Sequence, residues 1–517
     1  MEHARLTQTT PVQAAHPSDR LSWVWLAIGA ALLPLASVQT ILPLAAWLAP
    51  LFLLRFSRTQ RAVVALPVLA LVHYAAIILG MRGFFEGPLT YLVGLIGIPG
   101  IVAYAVDRLV AARYRGLLRT LPFPLAVTVI DWLVGMSPVG SGGALAYTQV
   151  GNLALLQLIS LTGIWGVSFL VAWFAAVAND LWEAEGDWRA VWPHLGLYAA
   201  VLLAVIVFGS VRLALAPRRV STVPTVRVAS LAADRALWHA LTQGVVAVAQ
   251  GTPAARAAAR AEYAPLWDDL LARSRQQARA GAKIVAWSEA SVFVLKEDEA
   301  AMLERARNLA RDEGIYLQVA LVSVLATDHH PYGENRALLI DPAGTVVWDY
   351  AKTVHPFGDK AVFAPGDGVI PVVETPYGRL ATVICFDADF PALLRQAGQA
   401  RVDILLAPSN DWPPVKVMHS RAHVLRAIEY GLALVRPTGN GIALATDSHG
   451  QVVAEADYYA TGSLTLVADV PTRGVPTLYT RIGDVFAYAC LLALAGLIAV
   501  AWLRPRLRPT PRAHAPA

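Results

Sequence analysis

The chain has 517 residues, of which 56% are hydrophobic and 15% charged, and its mean hydropathy is +0.50. That balance excludes a wholly soluble protein and calls for membrane-spanning segments. The net charge of +5 comes from scattered Lys and Arg, many of them flanking apolar runs where they set topology, so the expected partner is a lipid bilayer and no nucleic acid.

A spanning helix needs roughly 20 mostly apolar residues, and the first 215 residues supply such runs almost back to back. Spans are expected near 22–37, 39–55, 62–80, 89–107, 121–136, 153–178 and 193–214. Pro34 and Pro43 interrupt the first two. A cleaved signal peptide is an alternative for the first run, but six more runs follow and favour a polytopic domain. "GSGG" at 140–143 lacks the strand, lysine and spacing of a phosphate loop and reads as the loop before the sixth span.

Residues 1–216 are thus expected to form a membrane domain of about seven helices. From 217 to 482 polar and apolar residues alternate and no run approaches membrane length, which marks a soluble domain outside the bilayer. Residues 483–517 hold a last span, "GDVFAYACLLALAGLIAVAWL", and a basic tail. If the spans alternate, "RFSRTQR" at 55–61, the arginines 108, 113, 115 and 119, and the tail share one side. That side is the cytoplasm by the positive-inside rule, and the soluble domain lies opposite. The acidic loop "NDLWEAEGDWR", 179–189, fits this scheme poorly.

Only Cys385 and Cys490 are present, and Cys490 sits in the last span, so no intramolecular disulfide is expected. A solitary extracytoplasmic thiol is a liability unless it is buried or used. "GRLATVICFD", 378–387, reads as a buried strand ending at Cys385. "AKIVAWSEAS", 282–291, is an apolar strand reaching Glu289, and "TVVWDYAKTVHPFGD", 345–359, is the second arm of a hairpin running into Lys352. Three strands ending in an acid, an amine and a thiol suit acyl transfer. A carboxylate can take the thiol proton and an ammonium can stabilise the oxyanion. Taken singly, each of these residues also reads as a solvated loop residue; their coincidence is the signal.

"WSEA", "YAKTVHPFGD" and "CFDADFP", in this order and spacing, resemble the Glu-Lys-Cys signature of the nitrilase (carbon-nitrogen hydrolase) superfamily. "LLAPSNDWPP", 405–414, with "HSRAHVLRAIEYGLALVRPTGNGIALATDSHGQVV", 419–453, and "LISLTGIWGVSFLVAWF", 158–174, resemble the bacterial apolipoprotein N-acyltransferase family. The resemblance implies a polytopic α-helical membrane domain of about eight spans plus an α/β nitrilase-like α-β-β-α sandwich. It also implies a transfer of a phospholipid sn-1 acyl chain, through a thioester, to the amine of a diacylglyceryl-cysteine lipoprotein. Glu289 then corresponds to the general base, Lys352 to the oxyanion-stabilising lysine and Cys385 to the acylated nucleophile. Asp359, Phe386, Asp387, Asn410 and Asp411 are the expected substrate-binding or supporting residues. Asp359 and Asp387 stand where the family usually has Glu. The implied partners are a phospholipid acyl donor and a diacylated lipoprotein acceptor, and a monomer is expected.

Other candidates are weaker. His419 and His423 are spaced i, i+4, but no HExxH and no third ligand accompany them, so a helix face is the expected reading and neither a metal nor any cofactor is expected. His329 and His330 read as an exposed loop. Arg421 and Glu429 lie on the helix after Asp411, and "TPAARAAARAEYA", 252–264, reads as a helix. "VFVLKED", 292–298, and "DKAVFAPGDG", 359–368, are candidate lipid-admitting loops. A membrane-tethered amidase, or an acyltransferase with a different acceptor, is the alternative, and a non-enzymatic scaffold is disfavoured by the intact Glu-Lys-Cys set.

Overall fold

A computed structural model of the chain describes residues 21–216, 224–460 and 464–503, apart from Val38, Glu86, Gly186, Thr242 and Phe357. The expected domain junction at 217 and the basic tail from Arg504 lie outside the described residues.

The N-terminal half is helical: α1 (Ser22–Leu32), α2 (Pro43–Thr59), α3 (Ala62–Gly80), α4 (Leu89–Arg113), α5 (Leu117–Gly135), α6 (Ile164–Glu183) and α7 (Trp188–Leu215). With a final helix at Val485–Leu503, six of the described helices are long and apolar enough to cross a membrane. The first two expected spans fall short at 11 and 17 residues. Pro34 sits in a 3₁₀ turn after α1 and Pro43 starts α2, as expected of a residue that fixes φ and offers no N–H. The sixth expected span is also broken: two single turns, Leu153–Leu156 and Ile159–Thr162, precede α6. The break is at Gly163, whose φ is +66° and where a Cβ would come within 2.6 Å of the Tyr479 ring. Only glycine meets both demands there.

At one end of this bundle Arg58 of α2 donates to both carboxylate oxygens of Asp107 on α4, at 2.9 and 2.8 Å, and to Glu183 of α6 at 3.2 Å. Arg119 pairs with Asp180 and Glu183. The acidic loop that fits the charge rule poorly therefore belongs on the basic side, because its carboxylates neutralise basic residues from two other loops. The end of the final helix joins the same side, where Tyr114 donates to the Leu497 carbonyl at 2.6 Å.

The second half is a two-sheet sandwich. Its strands are β1 (Thr225–Leu231), β2 (Ile284–Trp287), β3 (Val292–Leu295), β4 (Tyr316–Val324), β5 (Gly333–Ile340), β6 (Val346–Ala351), β7 (Val372–Thr375), β8 (Gly378–Thr382), β9 (Ile404–Leu406), β10 (Ser409–Asn410), β11 (Ala433–Arg436), β12 (Thr438–Gly439), β13 (Ile442–Thr446), β14 (Val452–Asp457) and β15 (Thr465–Pro471). One sheet runs β15-β1-β2-β4-β5-β6 with β3 also on β4, and the other runs β14-β13-β11-β9-β8-β7. Successive strand residues point to opposite faces. Ala337 and Leu339 of β5 meet Leu380, Ile404 and Val435 between the sheets, while Leu338 and Ile340 pack against α8 (Pro253–Arg279) and α9 (Glu299–Glu313). The other sheet is covered by α10 (Pro391–Gln399) and α11 (Lys416–Tyr430). With both faces covered, these strands read as continuous apolar runs rather than as alternation.

Helix α11 is shared by both halves. Val424 and Ala427 face the sheet, whereas Ala422, Leu425 and Ile428 pack among Trp165, Leu170 and Tyr198 of the membrane helices. The chain closes with α12 (Leu478–Ile482) and α13 (Val485–Leu503). "VFVL" of the first candidate lipid-admitting loop is β3, with Val292 and Val294 in the core.

Candidate active site

The hairpin β5–β6 pairs Arg336 with Ala351, and Lys352 follows directly, its N–H donating to the Asn335 carbonyl at 2.9 Å. Glu289 lies two residues beyond β2. The Lys352 Nζ donates to Glu289 Oε1 at 2.7 Å and to Asp359 Oδ2 at 3.1 Å. Glu289 Oε1 also accepts from Asn335 Nδ2 at 2.8 Å, and its Oε2 accepts the Asn410 backbone N–H at 3.0 Å. Burial disfavours the lysine's charge, but Glu289, followed by Cys385 and Asp359, outweighs it and holds the ammonium protonated well above its usual range.

Cys385 differs from the expected strand terminus. Strand β8 ends at Thr382, and the cysteine begins a 3₁₀ turn, Cys385–Asp389, with a φ of +50°. Its N–H is held by the Pro408 carbonyl at 2.9 Å, and its Sγ lies 4.0 Å from the Asn410 carbonyl. Burial and then the charge of Glu289 push the thiol up, while Lys352 opposes them. The resting thiol is therefore protonated, and its activation requires a base.

The other expected residues divide by what they touch. Asp387 is fully buried and accepts from Tyr350 Oη (2.8 Å), Ile384 N (3.0 Å), Thr353 N (3.2 Å) and Val354 N (2.7 Å). It ties the lysine's loop to the cysteine's turn. Burial raises its carboxyl to about 6, against the pull of those backbone donors. Among the described residues, the Asp359 carboxylate reaches the lysine. Phe386 packs edge-on against Phe390 at 5.2 Å. Asn410 contacts Glu289 through its N–H and the Cys385 thiol through its carbonyl, and its side chain accepts from Asn440 at 2.9 Å.

Asp411 belongs to a buried ionic cluster. Arg436 donates to Asp411 Oδ1 and Oδ2 at 2.9 and 3.0 Å, and His419 bridges Asp411 (2.7 Å, Nδ1) and Asp389 (2.9 Å, Nε2). Burial would lower His419, yet the two aspartates raise it to about 9. His423 accepts from Arg436 at Nδ1, and burial with its cationic neighbours pushes it well down, so it is neutral. One donor atom each of Cys385, Asp411 and His419, and of Asp389, His419 and His423, lies within 4.8 Å of the others in its set. Both ring nitrogens of His419 are already occupied by aspartates and a guanidinium fills the neighbouring space, so these residues form an ion-pair cluster and not a metal site.

Asn335 and Tyr350 were not singled out by the sequence. A polar Asn inside the apolar strand "GENRALLI" was the available signal for the first. Of the lesser candidates, His329 and His330 are exposed, and His419 and His423 face inward from α11. Arg421 pairs with Glu455, and Glu429 pairs with Arg426 at the α6 N-terminus. The "GSGG" loop packs on the catalytic turn, where Ser141 N and Oγ donate to the Asp389 carbonyl at 2.9 and 2.7 Å.

Both halves of the chain resemble known proteins. The carbon-nitrogen hydrolase family model matches residues 245–476, and the model of the apolipoprotein N-acyltransferase N-terminal domain matches residues 29–177. The apolipoprotein N-acyltransferase of Bradyrhizobium diazoefficiens is 29% identical over 433 residues, covering 77% of this chain and 76% of that protein. That of Geobacter metallireducens is 27% identical over 453 residues, covering 81% and 80%. Among solved structures, an amidase from Nesterenkonia sp. aligns at 22% identity with a TM-score of 0.38, over 52% of this chain and 98% of that one. A carbon-nitrogen hydrolase match thus follows a match to the apolipoprotein N-acyltransferase N-terminal domain, and the chain is similar to apolipoprotein N-acyltransferases over about three quarters of its length.

Proposed function

We propose that the protein is a multi-pass enzyme of the bacterial inner membrane that transfers a phospholipid sn-1 acyl chain, through a Cys385 thioester, to the N-terminal amine of diacylglyceryl-cysteine lipoproteins. Residues 1–216 and 483–517 form its membrane part and cytoplasmic tail, and residues 217–482 form the catalytic domain on the extracytoplasmic side. The observation that carries this reading is the buried Glu289 carboxylate, held by Lys352 and by Asn410, whose carbonyl also borders the Cys385 thiol.

In the first step Glu289 takes the thiol proton and the thiolate attacks the donor ester carbonyl. The oxyanion develops beside the Lys352 ammonium, which needs no reorganisation to stabilise it. Collapse expels the lysophospholipid alkoxide, which takes the proton from Glu289. In the second step the acceptor amine attacks the thioester, its proton passes to Glu289, and the expelled thiolate recovers that proton. An apolar cavity of about 260 Å³, lined by Leu33, Ile41, Ala76, Leu145 and Met418, lies where the membrane helices meet α11, which supports lipid rather than soluble substrates.

The test incubates the purified protein with phospholipid labelled in its sn-1 chain, followed by diacylated lipopeptide. Mass spectrometry should find label on Cys385 and then a triacylated product. Hydrolysis of a soluble amide without any thioester to lipid acyl groups would sink the proposal.

A further inference from the structure

The positive-inside rule explains arginines on the side of Arg58 and Arg119, but it does not explain a second group at the opposite end of the bundle. Arg379, Arg401, Arg473 and Arg481 line one polar groove of about 810 Å³ between α10, α12 and the strand starts of β8 and β9. Arg379 is paired with Glu374. Arg401, Arg473 and Arg481 are exposed, and each has no acidic partner among the described residues. Asp403, the other acid of the groove, is already occupied by the backbone N–H groups of Arg379 and Gly474, both at 2.8 Å.

The groove's height relative to the bilayer follows from the spans beside it. Arg481 precedes the first residue of α13, Val485, by one helical turn. Val475, on the groove's rim, also borders a depression formed by Phe208, Val211 and Leu215 at the end of α7. The starts and ends of two spans thus set the groove at headgroup depth, and Leu215 and Leu478, next to its rim, are exposed. Unpaired arginines beside exposed leucines at that depth match a lipid whose phosphate is anionic and whose chains remain in the bilayer.

We propose that this groove binds the phosphate headgroup of an anionic phospholipid from the leaflet facing the catalytic half, at a site separate from Cys385. The groove opens at the first residues of β8 and β9, whereas the thiol lies just beyond the last residue of β8, so the two sites occupy opposite ends of the same strands. The proposal rests on the membrane placement of the chain and is independent of the acyl-transfer chemistry.

The test reconstitutes the full chain in nanodiscs of phosphatidylethanolamine containing a minor fraction of photoactivatable phosphatidylglycerol, and maps the crosslinks by mass spectrometry. Label is expected on the groove segments. The triple variant Arg401→Gln/Arg473→Gln/Arg481→Gln should lose it by about a hundredfold, given roughly tenfold or less per interfacial arginine. The corresponding triple lysine variant should keep most of it. Alkylation of Cys385 at the wild-type rate in both variants reports an intact fold, and the single variant Arg401→Gln, expected to lose several-fold, serves if the triple does not fold. Equal labelling in wild type and the glutamine variant overturns the proposal, as does equal labelling by a photoactivatable phosphatidylethanolamine. A parallel arm adds inorganic phosphate: if phosphate alone protects the groove while lipid leaves no label there, the lipid assignment fails.

Discussion

Replacing His419 by Gln probes the cluster beside the nucleophile and has a signed pH signature. The folded protein raises this imidazole from its ordinary 6.5 to about 9, because Asp389 and Asp411 hold its two nitrogens at 2.9 and 2.7 Å and outweigh burial. A group whose pKa is raised on folding contributes stability in full below the unfolded value and loses it as pH rises through the folded value. The window is therefore pH 6.5 to 9, and at about 1.4 kcal/mol per tenfold change in proton affinity the contribution is about 3 kcal/mol. His419→Gln should be less stable than wild type by about that amount near pH 6.5, and the gap should close as pH approaches 9. The assay is the unfolding midpoint of both proteins in one detergent, measured across that range. Glu429, raised to about 7 by burial, adds its own slope below the window, but it does so in both proteins and cancels in the difference. A gap that stays constant from pH 6.5 to 9 would refute the reasoning, since it would mean that the histidine stabilises by packing and not as a cation between carboxylates.

Asp387→Asn keeps the shape of the side chain but replaces one acceptor oxygen with a donor, leaving a buried backbone N–H of Val354 or Ile384 unpaired. It should cost about 2–3 kcal/mol and slow Cys385 alkylation, both checked on the purified variant by thermal unfolding and by iodoacetamide kinetics. Glu289→Gln can still accept from Lys352 but turns a donor toward the Asn410 N–H, so it should cost about 1–3 kcal/mol without unfolding the protein, and it should abolish thioester formation from labelled phospholipid. Cys385→Ala should abolish it too, whereas Cys490→Ala, within α13, should leave it nearly unchanged. Arg58→Leu strands Asp107, which is 1% exposed, and should destabilise by about 3–5 kcal/mol, read as a lower unfolding midpoint that the double variant Arg58→Leu/Asp107→Leu largely restores.

Much of the fold was legible because it depends on local pattern. Long apolar runs such as Ala62–Gly80 and Trp188–Leu215 announce themselves by length, and the hairpin into Lys352 is announced by "DPAG" between two apolar arms. What stayed hidden depends on tertiary partners. The break before α6 requires Gly163 to face Tyr479, which lies more than 300 residues away. The acidic loop at 179–189 looks misplaced by charge counting until Arg58 and Arg119 are seen to reach it. Helix α11 is apolar on two faces because one meets a sheet and the other meets membrane helices, and a sequence period shows only that it is buried. Asn335 and Tyr350 gain their importance from the residues opposite them, Glu289 and Asp387, and a single sequence does not contain that pairing.

The turn that carries the thiol is held from two directions. A non-glycine φ of +50° at Cys385 costs about 1–3 kcal/mol and persists only where the surroundings over-determine it. Asp387 supplies one constraint, drawing the turn toward the loop of Lys352 through three donors, Tyr350 Oη, Thr353 N and Val354 N. Asp389, two residues on, supplies the other: its carbonyl is fixed by Ser141 of the membrane half and its carboxylate by His419 of α11. The alternation of the two aspartates in "CFDAD" thus places one link toward the loop of Lys352 and the next toward the membrane helices. It follows that the position of Cys385 depends on the loop at 140–143 as well as on the sandwich, and that removing the membrane half would free the Asp389 carbonyl while leaving its carboxylate on His419.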